Sequence, residues 1–359
     1  MMRIKDFQVE LRKKGVDIAL FMNTSLYRMD PTLFYFTRLQ LEYAFLVMPA
    51  SGTPYLVVPG FEHERAKQSS SVKPVLSVPK GKKPLEIISK RSHAKTIGVH
   101  KAWLSLSESL AIRKHFGHVK LLDLTEDLTL LRQEKTAEEI RLIMHACTLT
   151  CRLYKEVYKK FSLFTSEKDI AKYLFLRTTE LGCKPAFNPI VASGKHASLP
   201  HALPSDKPLE KGFLVIDYGV MYKGYCSDVT RTVFIGTPTQ KEKDTYEQIL
   251  RVQLHAIHSC TPGISCSTLD KQVRVELGSQ NKYFTHSLGH GFGIHIHEQP
   301  NISSTSKDIL TEGTVFTIEP GIYPKTFGIR IEDDLLMTHR GGKVLTPLPK
   351  KLRVFPHPR

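Results

Sequence analysis

The stretch VIDYGVMYKGYCSDVTRT, residues 215–232, decides how this chain is read. Two aspartates, Asp217 and Asp228, stand at its ends among apolar residues, with Gly219 and Gly224 between them. That length fits a hairpin that returns both side chains to one place. Working outward, three more words carry acids or an imidazole: HSLGHGFGIHIHE (286–298), FTIEPGIY (316–323) and GIRIEDD (328–334). They add His290, Glu319 and Glu332. Val215 and Ile216 lead into Asp217, Val315 to Ile318 into Glu319, and Ile329 and Ile331 flank Arg330 before Glu332, so these segments read as strands. A carboxylate at a buried strand position is costly unless it is paired or bound to a metal. Any one of these residues alone is more often a surface, capping or turn residue; the set is what points to a metal. Four carboxylates and one imidazole in one cleft demand a cation. They suit two divalent ions held roughly 3.5–4 Å apart with a shared water or hydroxide. The donors are mostly carboxylate oxygens with no thiolate, which argues for Mn²⁺ or Co²⁺, with Fe²⁺ or Zn²⁺ as further options.

The order D…D…H…E…E with these local words resembles the metallopeptidase family of methionine aminopeptidase, prolidase and aminopeptidase P, known for the pita-bread fold. The resemblance runs from about Leu131 to the C-terminus. The stretch before it, in NTSLYRMDPTLFYFT (23–37) and EYAFLVMPASGTPYLVVPGFEHERA (42–66), is similar to the smaller N-terminal domain of prolidases and creatinase, and is less specific. The resemblance implies an α+β fold. A creatinase/prolidase-like mixed α/β domain would span 1–127. A pita-bread catalytic domain, with a curved antiparallel sheet, would span 128–359. It implies that Asp217 binds one ion, that Asp228 and Glu332 bridge, and that His290 and Glu319 complete the second ion. Glu319 becomes the proton shuttle. His201 (in ASGKHASLPHALPSD, 192–206), His297 and His286 match the accessory histidines that bind substrate or stabilise an oxyanion. Arg330 is expected to pair a ligand carboxylate, and Tyr323 to line the substrate pocket. The expected activity is hydrolysis of the Xaa-Pro bond of dipeptides, with aminopeptidase P action on longer peptides as the alternative and a non-catalytic binding protein as a second one. Lys195-His196-Ala197-Ser198 departs from the usual asparagine-serine pair before the accessory His, and Lys195 is a candidate for holding a substrate carboxylate. In the family the N-terminal domain, often from a partner subunit, closes the cleft, so a homodimer is expected.

With 359 residues the chain is long enough for two domains with separate cores. No apolar run reaches the length of a membrane span, and the N-terminal MMRIKDFQVELRKK reads as an amphipathic helix rather than a signal peptide. Six cysteines without a CxxC pair suggest free thiols in the cytoplasm. The net charge of +16 raises the question of nucleic acid. Lys67, Lys73, Lys80, Lys82, Lys83, Lys90, Arg91, Lys95 and Lys101 lack interleaved aromatics or a recognisable nucleic-acid module, so a solvated basic face is the preferred reading.

Short apolar runs at Asp17–Met22, Tyr43–Met48, Tyr55–Val58 and Thr96–Val99, with a turn at 50–54, predict a mixed sheet, and Leu104–Phe116 a helix on it. Thr136 with Glu139, and Ser166 with Asp169, are capping boxes for two further helices, the first running to about Phe161 and the second to Gly182. Two more are expected over Lys241–Ser259 and Ser267–Leu277. Helices followed by antiparallel strands suggest α+β.

Overall fold

The computed structural model describes residues 2–25 and 27–357. The chain divides into two compact units, Met1–Arg132 and Gln133–Arg359.

In the first unit the strands are β1 (Ile18–Asn23), β2 (Ala44–Pro49), β3 (Tyr55–Pro59), β4 (Val75–Val78), β5 (Thr96–Val99) and β6 (Lys120–Asp123). They form one sheet in the order β4-β3-β2-β1-β5-β6. The hairpin over the turn at 50–54 forms as expected, with Phe45 opposite Val57. β1 also pairs antiparallel with β2, whereas the outer pairs β3–β4, β1–β5 and β5–β6 are parallel. Every residue of β1 is buried, the pattern of a strand covered on both faces. Ser105 caps the helix Leu106–Phe116 through a reciprocal bond with Glu108. The nine basic side chains from Lys67 to Lys101 named above are all exposed.

The second unit starts with the helix Ala137–Lys159, whose Thr136–Glu139 box is present, and Glu167–Glu180, boxed by Ser166 and Asp169. The strands that follow are β7 (Lys184–Pro185), β8 (Ile190–Ser193), β9 (Gly212–Tyr218), β10 (Val220–Tyr222), β11 (Tyr225–Cys226) and β12 (Val229–Ile235). Helices Gln240–Ser259 and Cys266–Leu277 come next. The last strands are β13 (Gly289–Gly291), β14 (Glu298–Ile302), β15 (Val315–Ile318), β16 (Gly321–Ile322), β17 (Ile329–Arg330), β18 (Asp333–Thr338), β19 (Gly341–Val344) and β20 (Val354–Phe355). Two sheets dominate, β20-β12-β9-β8 and β14-β13-β15-β18-β19.

Period-two alternation sorts the side chains of β9 and β12 onto opposite faces. Leu214, Ile216 and Tyr218 of β9, with Val229, Val233 and Ile235 of β12, pack beneath the first two helices of this unit, against Leu153, Tyr154 and Leu174. Phe213, Phe234, Ile318, Ile331 and Leu335 belong to the other core, under helices Gln240–Ser259 and Cys266–Leu277. Asp217 has the parity of Phe213, and Thr230, directly opposite it, that of Phe234. The alternation that builds two cores thus turns the first aspartate away from the helices Ala137–Lys159 and Glu167–Glu180. All six cysteines are free thiols and buried. Among the described residues no helix is long and apolar enough to cross a membrane.

Candidate metal centre

β9 and β12 are the hairpin that the spacing of Asp217 and Asp228 foretold, with Tyr218 opposite Val229 at its closed end. Its tip carries a second hairpin, β10–β11, which turns away to pair with β7. Lys223 and Gly224, at φ 48 and 83, make that turn, the left-handed pair that a two-residue hairpin loop demands. The chain doubles back so tightly that a Cβ on Gly219 would lie 1.8 Å from the Ser227 carbonyl oxygen. Cys226 therefore belongs to β11, not to the strand that follows Asp228. Its backbone N–H donates to the Gly293 carbonyl at 2.8 Å, and it serves as a small buried apolar residue.

Only Asp217 and His290 sit within strands. Asp228 precedes β12, Glu319 follows β15, and Glu332 fills the break between β17 and β18. The strand reading of the glutamate segments was too regular: each glutamate falls where the backbone leaves its ladder and can aim a side chain inward. The breaks are held by cross-sheet bonds. The Glu332 N–H donates to the Thr230 carbonyl at 3.1 Å, the Glu319 N–H to the Leu288 carbonyl at 2.9 Å, and the Asp228 N–H to Asp334 Oδ2 at 3.0 Å.

Asp228, His290, Glu319 and Glu332 converge directly, and Asp217 is joined to them through Arg330 and Thr230. One ligand atom each from Asp228, His290 and Glu332 lies within 4.8 Å of the others. His290 Nε2 is 3.4 Å from Glu319 Oε1 and 3.7 Å from Asp228 Oδ2. Nδ1 of His290 faces the Gly291 carbonyl at 3.1 Å, so it carries the proton and leaves Nε2 with a free lone pair. The Thr317 hydroxyl accepts the His290 N–H at 3.1 Å and donates to Glu319 Oε1 at 3.2 Å. The Thr230 hydroxyl donates to Glu332 Oε2 at 2.7 Å.

Whether these groups fit a metal is tested by what they lack. Asp217 Oδ1 and Asp228 Oδ1 are buried without any hydrogen-bond partner, an arrangement that costs free energy unless a cation completes it. Burial, then repulsion from Glu332 and Asp217, holds the Asp228 carboxyl well above its usual range. Burial, then Glu319 and Asp217, does the same to Glu332. Burial, with Asp217 adding to it, pushes Glu319 up to about 8. His290 is driven down to about 3 by burial and then by His297, so it is neutral, the form that ligates. Acids that cannot share a site without protons, around an imidazole that cannot hold one, are a set that divalent ions satisfy.

Arg330 is buried and donates to Asp217 Oδ2, to the Thr230 hydroxyl at 3.0 Å and to the Tyr323 hydroxyl at 2.6 Å. Burial works against its charge, but Tyr323, Asp217 and Glu319 outweigh that and raise its pKa well above the usual value. The expected carboxylate partner is thus Asp217. Tyr323 in turn reaches His286 Nε2 at 3.2 Å. His297 packs edge-on against His290, ring centroids 4.4 Å apart. His201 is exposed, on the segment after β8, close enough for its charge to lower both His286 and His297, burial being the larger cause in each.

Three participants escaped the sequence reading. Thr230 and Thr317 orient glutamates, and Arg231, one residue on from Thr230, faces the other way to pair with Asp333 at 2.7 Å. Asp333 also accepts from the Gln253 amide at 2.8 Å. For Thr230 and Arg231 the signal was the alternation through TRT in the opening stretch; Thr317 stands two residues before Glu319, with nothing but that spacing to mark it.

Residues 141–339 match the family described as Metallopeptidase family M24, and residues 3–133 the Creatinase/Prolidase N-terminal domain. The chain is 35% identical to an Xaa-Pro dipeptidase of Pyrococcus horikoshii over 358 residues, 98% of each chain. Its structure is similar to that of a prolidase from Pyrococcus horikoshii, with TM-score 0.89 at 32% identity over 98% of this chain and 100% of the other. It is equally similar to an X-Pro aminopeptidase from Thermotoga maritima, with TM-score 0.89 at 33% identity over 95% and 98%.

Proposed function

The chain belongs to metallopeptidase family M24 and is a metallo-exopeptidase with an N-terminal creatinase/prolidase domain, and from that premise we propose that it hydrolyses the Xaa-Pro bond of dipeptides. The observation that carries the site assignment is the pair of partnerless buried oxygens on Asp217 and Asp228, beside the free Nε2 of His290. Asp217 would hold one ion, Asp228 and Glu332 would bridge, and His290 with Glu319 would hold the other, Mn²⁺ or Co²⁺ being the best match to these donors. Bound there, the ions supply Lewis acidity and a water of lowered pKa for attack on the peptide carbonyl. Glu319 then takes and returns the proton, as a carboxylate beside both the ions and the substrate can. His297 and His201 stand beside the cleft as donors to the carbonyl oxygen as it gains charge. Arg330 holds Asp217 in the orientation that keeps Oδ1 free for an ion.

The substrate assignment draws on the relatives, whose names specify an Xaa-Pro bond. Proline after the scissile bond makes the amide tertiary, so a site for it needs no acceptor for an N–H. Lys195, exposed at the start of the 195–205 segment, is a candidate to hold the free carboxylate of a dipeptide. We place the enzyme in the cytoplasm, in keeping with six unpaired cysteines, and as a homodimer, which sedimentation would test.

A panel of Met-Pro, Gly-Pro, Xaa-Pro-Xaa-Xaa and Met-Ala-Xaa peptides, assayed with Mn²⁺ or Co²⁺, decides the substrate. Higher kcat/KM on the dipeptides is expected. Equal or better cleavage of the longer Xaa-Pro peptide makes the enzyme an aminopeptidase P, the reading that the likeness to the Thermotoga maritima protein favours. Cleavage of Met-Ala-Xaa alone would remove it from the proline-directed branch.

A further inference from the structure

Glu167 lies outside the metal site, at the start of the helix Glu167–Glu180, and its residue is only 2% exposed. Its carboxylate accepts four hydrogen bonds, all from one segment. Oε1 takes the Ser193 N–H at 2.6 Å and the Ser193 hydroxyl at 3.0 Å. Oε2 takes His196 Nδ1 at 2.8 Å and the Ser205 N–H at 3.0 Å. Those donors bracket the segment 193–205, and His201 lies between the last two of them in sequence. A second carboxylate, Glu210, accepts the Lys195 N–H at 3.2 Å, and a Cβ on Gly194, which sits at φ +54, would lie 2.3 Å from Glu210 Oε2.

A buried carboxylate must have its lone pairs satisfied by donors, and here four donors from a single loop do so, at a helix N-terminus that favours negative charge. The energetic consequence runs in both directions. The carboxylate keeps its four donors only while the segment holds this conformation, and the segment is held there by that one carboxylate. His201 itself is exposed, and among the described residues no hydrogen bond of its side chain holds it in place, so its position is inherited from the segment that carries it. The imidazole at 196 stands in the short stretch 195–198 that departs from the asparagine-serine pattern, and it supplies one of the four donors.

We propose that Glu167 is a positioning residue for the reaction: by fastening Ser193, His196 and Ser205 with one carboxylate it sets where His201 meets the substrate. The inference rests on the reading of His201 as a donor in the peptidase site.

The test is a double-mutant cycle on the metal-loaded full-length enzyme, with Met-Pro as substrate. Glu167→Gln removes charge and half the acceptor capacity while keeping the shape. It should lower kcat about 10- to 100-fold, the cost of misplacing a catalytic group by about an ångström, with KM and metal content changed by less than about 2-fold. In the His201→Ala background the same substitution should change kcat by less than about 2-fold, because the group that it positions is gone. Should Glu167→Gln fold poorly, His196→Ala and His196→Asn replace it: alanine should lose part of kcat, and asparagine, whose amide can donate to Glu167, should restore it. Equal losses from Glu167→Gln with and without His201 would overturn the proposal and leave Glu167 a general support of the fold. So would His196→Ala and His196→Asn of equal activity. A His201→Ala enzyme with full turnover would instead sink the donor role on which the proposal rests, a result that the single variant shows by itself.

Discussion

The Tyr323 hydroxyl stands 3.2 Å from Nε2 of His286, and the direction of that bond is set by what lies on either side of it. Nδ1 of His286 is 2.8 Å from the Ser287 carbonyl, so Nδ1 carries the proton and Nε2 accepts. Tyr323 accepts from Arg330 at 2.6 Å and donates to His286. Burial, followed by the Arg330 charge, lowers His286 to about 3, which keeps it neutral. A relay therefore runs from Asp217 through Arg330 and Tyr323 to His286. His286 acts in it as an acceptor, not as a free donor to substrate.

Tyr323→Phe is expected to keep both metals and to lower kcat by about 10- to 100-fold, since it strands the Nε2 acceptor and frees one edge of Arg330. Elemental analysis and steady-state kinetics check this together. Loss of metal in this variant would mean that Tyr323 supports the ligand framework itself.

Replacing Asp228 or Glu332 should cost both ions, since each is proposed to bridge; replacing Asp217 should weaken chiefly one. Titration calorimetry with Mn²⁺ on Asp228→Asn, Glu332→Gln and Asp217→Asn gives the stoichiometries. Equal losses from all three would refute the division of roles.

The carboxylates also make the metal-free protein sensitive to pH. Glu319, ordinarily near 4.5, is pushed up to about 8 by burial and by Asp217, and Asp228 and Glu332 move in the same direction. A raised acid binds its proton more tightly folded than unfolded, so stability falls as pH climbs from the unfolded value through the folded one. Below about 6.5 the lowered histidines, His286 and His290, act in the opposite sense, because there the unfolded chain binds the protons. The clean window is pH 6.5 to 8. Protein stripped by a chelator should lose Tm steadily across it, and protein loaded with Mn²⁺ should lose much less, because the ions replace the protons. Parallel curves for the two forms would argue that the carboxylates are not where the ions bind.

The parts of this fold that could be read from sequence were those in which one local rule acts alone. The Thr136–Glu139 and Ser166–Asp169 boxes mark helix starts that the structure reproduces, and the hydrophobic runs of β1, β2, β3 and β5 are dense enough to announce themselves. β4 and the helices Gly60–Ser69 and Pro84–Arg91 are missing from that reading: β4, Val75–Val78, is apolar but only four residues long, and the two helices are short, with their few apolar residues scattered among polar ones. The helix Thr125–Gln133 was passed over for a related reason: its start coincides with the expected end of the first domain at Asp127. In the site, residue types and order pointed to four acids and one imidazole. The breaks at Glu319 and Glu332 do leave marks in the sequence, Pro320-Gly321 and Asp333-Asp334, but the apolar runs that lead into each glutamate mask them. Glu167 was seen only as part of a helix start, since its four partners lie 26 or more residues away.

Arg231 offers the sharpest test of how the reverse face supports the site. Its side chain is buried and donates to the carbonyls of Thr230 and Glu332, to the Leu348 carbonyl at 3.0 Å and to Asp333 Oδ1 at 2.7 Å. Asp333 is fully buried and retains Lys350 at 2.5 Å if the arginine is lost. Truncating one member of a buried, hydrogen-bonded ion pair typically costs about 3–5 kcal/mol, because the other charge is left short of partners; the surviving lysine places the expected loss for Arg231→Met near the lower end of that range. The same change releases the backbone carbonyl of Glu332, the residue whose carboxylate is proposed to bridge, so metal affinity should fall with stability. Urea unfolding of the metal-free variant measures the first effect and Mn²⁺ titration the second. Stability within about 1 kcal/mol of the parent would show that Lys350 and Gln253 suffice for Asp333. Unchanged Mn²⁺ binding in a destabilised variant would show that β17 and β18 hold Glu332 in place without help from behind.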